Sequence, residues 1–366
     1  MNVVIAGGGT AGHVFPAIAL AQELAGSGHR TTYLGTANGL ESRLVSEAGL
    51  PFIAIEAALL TRRASPALAR APVVAMRSIG ACRQHVRNAD VVVGMGGYVS
   101  VPPVLAARRE RRPVVLHEQN AVPGLANRIL ARGARIVALS FRDAATRLPR
   151  GVRTTITGNP VRAPILEVPG HREALRAEAL GALDLDAGRT TVLVFGGSLG
   201  ALHVNRTVAG AIGHLRSRGD LQLLILTGPR HLDVVGEAAA EAMPLRVRVL
   251  PFLDRMELAY AVADAAVARA GATSIAELAV CGLPSILIPY PHATANHQDA
   301  NARELERAGA AVVVADADLR SDDLAARIAR LVDDVPGRTS MAARAADWGT
   351  PHAAAALAAV VTEAAA

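Results

Sequence analysis

The fold of this chain is indicated at its start, where residues 4–12 read VIAGGGTAG. A β-branched run leads into closely spaced glycines, and an Ala/Leu-rich stretch suited to a helix continues to about Ala25. This order is typical of a Rossmann-like unit, in which glycines let backbone N–H groups approach a diphosphate at the helix start. The order returns at residues 193–200, which read LVFGGSLG. The sequence therefore predicts two α/β domains that open alike.

Further short β-branched runs alternate with helical stretches in both halves of the chain. They lie at residues 91–93, 114–116, 136–138, 191–195, 223–226 and 285–288. This alternation predicts parallel sheets, and the chain length suits two domains. We place the boundary in the Pro- and Gly-containing segment near residue 162, which gives domains 1–162 and 163–341. An Ala-rich helix at about 342–366 is expected to pack back on the first domain.

Composition and charge argue against several classes of protein, among them disulfide-rich, zinc-binding, membrane-spanning and nucleic-acid-binding proteins. The net charge is +6 and the only cysteines, Cys82 and Cys281, lie far apart, so neither a disulfide framework nor a zinc site is expected. The N-terminus lacks the pattern of a signal peptide, and no apolar stretch has the length of a membrane span. Aromatic residues make up 3%, which argues against a nucleic-acid partner. We expect a cytoplasmic protein whose membrane contact is peripheral.

The first glycine loop also matches the dinucleotide fingerprint. However, a nicotinamide enzyme places an acidic residue at the end of the second strand, whereas residues 31–36 read TTYLGT. A second cluster, GMGGYVS at residues 94–100, follows another predicted strand. Two such loops at one sheet edge favour an anionic ligand, although each loop by itself can be a tight turn that needs glycine for its backbone.

The glycine loop of the second half offers a different chemistry. Gly196-x-Ser198-x-Gly200 fits the nucleophile elbow of α/β-hydrolases, for which Asp254, Asp264, His292 and His297 stand in a suitable order. A serine hydrolase is therefore an alternative, but it leaves the loops of the first half without a role.

A second helix start in the chain suits a nucleotide. Residues 269–277 read RAGATSIAE and follow a predicted strand at 265–268. Free N–H groups and the helix dipole can bind a diphosphate there without a metal, and Glu277 can accept hydrogen bonds from ribose hydroxyls. An ordinary capped helix with an exposed glutamate is the alternative.

Six motifs, in order, resemble those of the MurG family of peptidoglycan N-acetylglucosaminyltransferases. They are residues 8–13, 94–100, 117–120, 157–162, 196–198 and 269–277. The resemblance covers nearly the whole chain. It implies a GT-B fold, with two Rossmann-like domains facing a deep cleft, at the cytoplasmic face of the plasma membrane. It also implies inverting transfer of GlcNAc from UDP-GlcNAc to the 4-hydroxyl of undecaprenyl-diphosphate-linked MurNAc-pentapeptide (lipid I), giving lipid II. A related GT-B enzyme, such as a UDP-GlcNAc 2-epimerase, is the main alternative.

The resemblance further implies which residues bind each substrate. Donor contacts fall on Thr10, Ala11, Gly12, Asn120, Arg162, Ser198, Leu253, Ala272, Thr273, Ser274, Ile275, Ala276, Glu277 and Gln298. Acceptor contacts fall on Gly9, Gly96, Gly97, Tyr98 and Ser100. Ala11 and Leu199 depart from the family's usual Gly and Gln, and these changes bear on loop tightness and donor affinity.

The reaction needs a base for the acceptor hydroxyl. His13 is the first choice, because a neutral imidazole near pH 7 suits the task, and Glu118 is the second. His13 can alternatively bind phosphate at the helix start. We expect no metal and no other cofactor, and departing UDP would meet Arg162 or Arg269. The acidic pairs Asp184/Asp186 and Asp316/Asp318 are interpreted as surface residues.

The region 57–87 mixes apolar residues with arginines. This mixture suits an interface with anionic lipid, which a lipid acceptor would require. A core helix whose arginines face water is the alternative. Other cell-wall synthesis proteins are possible partners.

Overall fold

The computed structural model describes residues 1–57, 66–197 and 200–366, with the backbone alone for residues 66–75. The chain divides into two compact units. The first comprises residues 1–162 and 350–366, and the second comprises residues 163–349. Ser198 and Leu199 lie outside the described residues, as does part of the arginine-rich region 57–87.

The described strands of the first unit form a parallel seven-stranded sheet with the order β3-β2-β1-β4-β5-β6-β7. The strands are β1 (Asn2–Ala6), β2 (Arg30–Gly35), β3 (Phe52–Ala54), β4 (Val91–Gly94), β5 (Val114–Glu118), β6 (Ile136–Leu139) and β7 (Thr154–Ile156). The helices are α1 (Ala11–Gly26), α2 (Leu40–Glu47), α3 (Pro66–Val86), α4 (Val101–Arg109) and α5 (Leu125–Leu130). Short 3₁₀ turns lie at Tyr98–Ser100, Ala131–Gly133 and Arg142–Arg147.

The strand order reverses between β1 and β4, and this places the glycine loops. Ala6 pairs with Gly94, so the two strands end side by side. The loops that follow them therefore leave the same edge of the sheet, as predicted. Ligands of open α/β sheets bind in the crevice at such a reversal point.

The second unit repeats this design with a parallel six-stranded sheet of order β10-β9-β8-β11-β12-β13. The strands are β8 (Thr190–Phe195), β9 (Leu221–Leu226), β10 (Arg246–Leu250), β11 (Ala265–Ala268), β12 (Ser285–Leu287) and β13 (Ala311–Val313). The helices are α6 (Ala163–Leu166), α7 (Val168–Ala182), α8 (Leu202–Leu215), α9 (Leu232–Ala240), α10 (Met256–Val262), α11 (Ala272–Val280), α12 (His297–Arg307), α13 (Ser321–Asp333) and α14 (Val335–Trp348), with 3₁₀ turns at Thr294–Asn296 and Asp316–Asp318. Phe195 pairs with Ala268, so here the reversal point lies between β8 and β11.

The C-terminal tail differs from the single helix predicted at 342–366. The structure has two helices, α14 in the second unit and α15 (Ala353–Ala365) in the first. They are separated at residues 349–352, where Pro351 disfavours continued helix in the residue before it. Leu357 and Val361 of α15 are buried in the core formed with α1 and β1. Only the second part of the predicted segment therefore packs on the first unit.

No helix within residues 1–57, 66–197 and 200–366 is long and apolar enough to cross a bilayer.

Candidate active site

The two glycine loops of the first unit pack directly on each other. Gly97 has φ +75°, and a Cβ placed on it would lie 2.3 Å from the carbonyl oxygen of Gly8. A Cβ on Gly7 would lie 2.9 Å from Cβ of Met95. These glycines are therefore required for close backbone approach, whatever ligand the loops bind. The side chain of Thr10 remains exposed at the start of α1.

A buried carboxylate, Glu41 of α2, holds the first loop from beneath. Its Oε2 accepts from the backbone N–H of Gly9 at 3.2 Å. Its Oε1 accepts from the backbone N–H of Thr36 at 3.1 Å and from the Thr36 hydroxyl at 2.6 Å. Sequence reasoning missed Glu41, because it belongs to no glycine motif and is far from the loop in sequence.

His13 lies in the first turn of α1 with its ring against the second glycine loop. A Cβ on Gly96 would lie 3.1 Å from Cε1 of His13, and one on Gly97 would lie 3.2 Å from its Cδ2. Burial lowers the pKa of His13, while the charge of Glu118 and the hydrogen bond to Gln119 oppose this shift. The imidazole is therefore neutral at pH 7, the form that a base requires.

A hydrogen-bonded chain of side chains leads away from His13. Its Nδ1 lies 3.1 Å from Oε1 of Gln119. Nε2 of Gln119 donates to the Met95 carbonyl at 2.8 Å and lies 3.0 Å from Nδ1 of His117. Nε2 of His117 lies 3.0 Å from the carbonyl oxygen of Gly158. The motif at residues 117–120 thus supplies the support of His13.

Glu118 ends β5 and is buried, and its carboxylate accepts from groups on both sides. Oε1 accepts from the backbone N–H of Asn120 at 3.0 Å and from its side-chain amide at 3.3 Å. Oε2 accepts from the backbone N–H of Gly124 and from Nδ2 of Asn127, both at 2.9 Å. With four donors around it, the carboxylate organises the turn between β5 and α5.

In the second unit, α11 begins directly after β11, as predicted. Gly271 precedes the helix in an extended conformation, and the backbone N–H of Ile275 donates to the Gly271 carbonyl. Thr273 and Ser274 are partly exposed in the first turn, whereas Ile275 and Ala276 are buried. The first turn of such a helix directs N–H groups outward, which suits an anion.

Glu277 lies on α11 just beyond that first turn and is 5% exposed. The hydroxyl of Tyr260, on α10, donates to Oε2 of Glu277 at 2.8 Å. Tyr260 is itself fully buried and packs edge-to-face on Phe195. The carboxylate is therefore held in a defined orientation by a residue that the sequence patterns did not single out.

Comparison with known proteins decides the family of this chain. Residues 3–139 match the glycosyltransferase family 28 N-terminal domain, and residues 191–357 match the family 28 C-terminal domain. A protein of Acidothermus cellulolyticus is 43% identical over 372 residues, covering 100% of this chain and 98% of its own. One of Halothermothrix orenii is 41% identical over 362 residues, covering 96% of each. Both are named UDP-N-acetylglucosamine--N-acetylmuramyl-(pentapeptide) pyrophosphoryl-undecaprenol N-acetylglucosamine transferase.

Among solved structures, MurG of Acinetobacter baumannii has 28% sequence identity and a TM-score of 0.77, with 99% of both chains covered. The chain belongs to the MurG family. Its GT-B fold class, with two parallel-sheet α/β units, is thereby confirmed, and family 28 makes it a glycosyltransferase. The alternative of a serine hydrolase is not favoured.

The placement of Asp264 adds a structural reason against the hydrolase. Asp264 precedes β11, so it lies at the amino edge of the sheet, whereas Gly196 and Gly197 follow β8 at the carboxyl edge. Its carboxylate accepts from the backbone N–H of Thr191 at 2.8 Å and pairs with Arg176. Ser198, the proposed nucleophile, lies outside the described residues.

Other MurG-family positions of the first unit are placed around the glycine loops. The ring of Tyr98 lies over Gly9, where an added Cβ would be 3.2 Å from Cε1. Ser100 is fully buried and its hydroxyl donates to the Gly97 carbonyl, so it holds the turn from behind. The guanidinium of Arg162 stacks 4.2 Å from the ring centroid of Phe15 on α1.

Arg269 and Asp316 form a buried ion pair, which corrects the interpretation of Asp316 as a surface residue. Asp316 is not a free surface residue: its carboxylate accepts from Arg269 at 2.5 Å and lies 2.9 Å from Nδ1 of His203. Arg269 is 7% exposed and also donates to the carbonyls of Ile288 and Pro289. Its guanidinium thus holds together the loops after β11, β12 and β13.

The other acidic pair behaves as predicted. Asp184 pairs with Arg246 at 2.6 Å with its side chain 73% exposed, and Asp186 pairs with Arg189 at 3.1 Å. Both lie before β8, at the edge of the sheet opposite to the glycine loop. In the described part of the chain, no three His, Cys, Asp or Glu side chains come together as metal ligands would.

The remaining donor-side positions lie in loops of the second unit. Leu253 is partly exposed beside Phe252, in the loop after β10. Oε1 of Gln298 accepts from the backbone N–H of Tyr290 at 2.9 Å, which fixes its amide at the start of α12. Asn301, which sequence reasoning missed, is fully buried and donates to the Ala270 carbonyl at 3.3 Å.

Proposed function

We propose that this chain transfers GlcNAc from UDP-GlcNAc to the 4-hydroxyl of lipid I, which gives lipid II in peptidoglycan synthesis. The chain is 41–43% identical over nearly its whole length to proteins named as N-acetylglucosamine transferases acting on undecaprenol-linked N-acetylmuramyl-pentapeptide, and this identity supports the reaction. In the inverting step, the acceptor oxygen attacks C1 of GlcNAc while the bond from C1 to UDP breaks. The hydroxyl proton passes to a base of the protein, and UDP departs with the bonding electrons.

The observation that carries the proposal is the state of His13. The imidazole is partly exposed, neutral at pH 7 and held at Nδ1 by Gln119. Glu118, the other candidate base, is buried and accepts from four donors. These donors occupy the lone pairs of its two carboxylate oxygens, which leaves none directed at an acceptor hydroxyl. We therefore assign His13 as the base and Glu118 as an organiser of the loop that carries Asn120.

For the donor, we propose that the diphosphate binds the first turn of α11 and that Glu277 accepts hydrogen bonds from the ribose. The outward N–H groups of that turn favour negative charge. The orientation of Glu277, held by Tyr260, supports the ribose contact. By family resemblance, Leu253, Gln298 and Ser198 complete this site, and Thr10, Ala11, Gly12, Asn120 and Arg162 contribute from the first unit.

For the acceptor, we propose contacts from Gly9, Gly96, Gly97 and Tyr98. The first glycine loop is not suited to bind a diphosphate strongly, because the N–H of Gly9 already donates to the Glu41 carboxylate. A buried negative charge beneath the loop opposes a second anion above it. We therefore assign this loop mainly to placing His13 and the acceptor sugar.

We also propose peripheral binding to the cytoplasmic face of the membrane through region 57–87. Met76 is 61% exposed, and Arg77 beside it is exposed. Farther along α3, Ile79 and Cys82 are buried in the core, and Arg83 pairs with Glu110. The membrane contact is accordingly proposed for the part of this region before Ser78, in which the side chains of residues 58–75 lie outside the described residues.

The decisive experiment mixes the protein with radiolabelled UDP-GlcNAc and a lipid I analogue and follows label in the lipid fraction. We expect transfer by the wild type. His13→Ala should lower kcat by about 10²-fold to 10⁴-fold, the usual contribution of a general base. His214→Ala, at an exposed histidine of the second unit, is the matched control and should leave kcat unchanged. Absence of transfer despite intact donor binding would refute the proposed reaction.

A further inference from the structure

Two backbone carbonyls determine which atom donates in each hydrogen bond of the side-chain chain that supports His13. A carbonyl oxygen accepts hydrogen bonds and never donates. The contact between Nε2 of His117 and the Gly158 carbonyl therefore places a proton on Nε2 of His117. Burial lowers the pKa of His117 to about 4, so at pH 7 the ring is neutral and its Nδ1 is an acceptor.

The Met95 carbonyl fixes the next link. Gln119 donates to Met95 O at 2.8 Å, so its amide nitrogen must face that carbonyl. The second N–H of the same amide points to Nδ1 of His117, at 3.0 Å. Both donors of the Gln119 amide are thus used, and two independent acceptors specify its orientation.

The remaining atom of Gln119 then determines the state of His13. Oε1, which can only accept, lies 3.1 Å from Nδ1 of His13. We propose that Gln119, oriented by Met95 and His117, holds neutral His13 as the Nδ1–H tautomer and leaves Nε2 as its basic atom. Gln119 and His117 are positioning residues in this scheme, which rests on the proposed role of His13 as base.

The same hydrogen bonds support His13 both before and after it takes up the proton of the acceptor hydroxyl. Before the reaction, His13 carries one proton on Nδ1 and a lone pair on Nε2. When Nε2 takes the proton of the acceptor hydroxyl, the imidazolium still donates from Nδ1 to Gln119, so no supporting bond must rearrange. Glu118 and Glu41 add negative charge near the ring that favours the imidazolium. A donor facing Nδ1 would instead oppose proton transfer.

The scheme also explains why the middle link is an amide and why His117 must stay neutral. A protonated His117 would direct Nδ1–H at the Gln119 amide nitrogen, placing a donor against a donor. A carboxylate in place of Gln119 would face the Met95 carbonyl without a proton to donate. An amide alone offers donors on one side and an acceptor on the other.

The first test uses the wild-type protein labelled with ¹⁵N-histidine. Imidazole nitrogen chemical shifts at pH 8, assigned with His13→Ala and His117→Gln, report which nitrogen of each ring is protonated. We expect Nδ1–H for His13 and Nε2–H for His117. Finding Nε2–H on His13 would overturn the proposal without any variant of Gln119 having to fold.

The second test is a double-mutant cycle with Gln119→Met, which keeps the length of the side chain and removes the amide. Gln119→Met should lower kcat by about 10²-fold, the lower end of what a general base contributes, with KM for UDP-GlcNAc unchanged. In the His13→Ala background it should cause no further loss, because Gln119 acts through His13. A comparable further loss there would assign Gln119 a merely structural role and overturn the proposal.

A matched control comes from the second unit. Gln222 is fully buried; it accepts from the backbone N–H of Asp186 at 2.9 Å and donates to the Asp186 carbonyl and the Thr191 hydroxyl at 2.8 Å. Gln222→Met removes a similar set of buried bonds and should leave kcat and the His13 tautomer unchanged. A normal rate for His13→Ala would overturn the assigned base, and the tautomer spectra would then still decide the arrangement of Gln119.

Discussion

Replacing Glu41 with Gln tests whether one buried carboxylate holds the first glycine loop. The carboxylate accepts from two backbone N–H groups, those of Gly9 and Thr36, with a different oxygen for each. A Gln amide has only one oxygen. In either orientation of the amide, one of these N–H groups therefore faces an NH₂ group and loses its acceptor.

The magnitude follows from that lost bond. A hydrogen bond to a charged group contributes about 1.5–3 kcal/mol, and an unpaired buried N–H costs about 1–3 kcal/mol. Removal of a buried charge offsets part of this cost. We expect the free energy of unfolding of the first unit to fall by about 2–4 kcal/mol. Thr36→Val, which removes only the hydroxyl bond at 2.6 Å, should cost about 1 kcal/mol.

Hydrogen exchange resolved by peptide measures this change within each unit. Amides of β1 should exchange faster in Glu41→Gln, whereas those of β9, in the second unit, serve as the internal reference. The same variant should show reduced kcat, because the loop that begins α1 also places His13. A stability of β1 within about 0.5 kcal/mol of wild type, the usual effect of a surface substitution, would refute the role assigned to Glu41.

Three further predictions follow from single contacts. Tyr260→Phe removes a bond of about 1 kcal/mol to Glu277 and should weaken UDP binding about fivefold by calorimetry; an unchanged Kd would contradict the role of that bond. Gly97→Ala, at φ +75° beneath a facing carbonyl, should cost about 2–5 kcal/mol in urea unfolding, against about 1 kcal/mol for Gly151→Ala, at φ +82° in open space. The pKa of His117 is about 4 when folded and about 6.5 when unfolded, so the unfolded state takes up its proton first on acidification. Wild type should therefore lose about 3 kcal/mol between pH 7 and pH 4 that His117→Gln does not lose, and equal losses would contradict this.

The fold was predictable from sequence because its signals are local. A buried parallel strand needs a continuous apolar run, a tight turn needs glycine, and a helix needs its own periodicity. Each of these is visible within about ten residues, and the strands at 91–93 and 265–268 lie where predicted. The break in the C-terminal tail was missed because the prediction there used only local composition. Its Ala-rich composition suits helix throughout, and the break near Pro351 coincides with Gly349, whose Cβ would meet the backbone of Ala279 at 3.1 Å.

The candidate site was predictable only in part. Motifs identified His13, Glu118 and Glu277, because the chemistry of each stands next to a recognisable loop or helix start. No local sequence pattern identified their hydrogen-bond partners. Gln119 lies 106 residues from His13, and Tyr260 lies 17 residues from Glu277 on another helix.

The sequence by itself therefore determined the strand–glycine–helix order, the two similar units and the family. Tertiary structure alone decided that Glu118 is saturated by donors, that Asp316 is paired with Arg269, and that Glu41 lies beneath the first loop. The physical reason is that a pattern along the chain specifies which groups are present. The donors and acceptors that surround a buried group, and hence its charge and its protonated atom, depend on strands and helices brought together from distant parts of the chain.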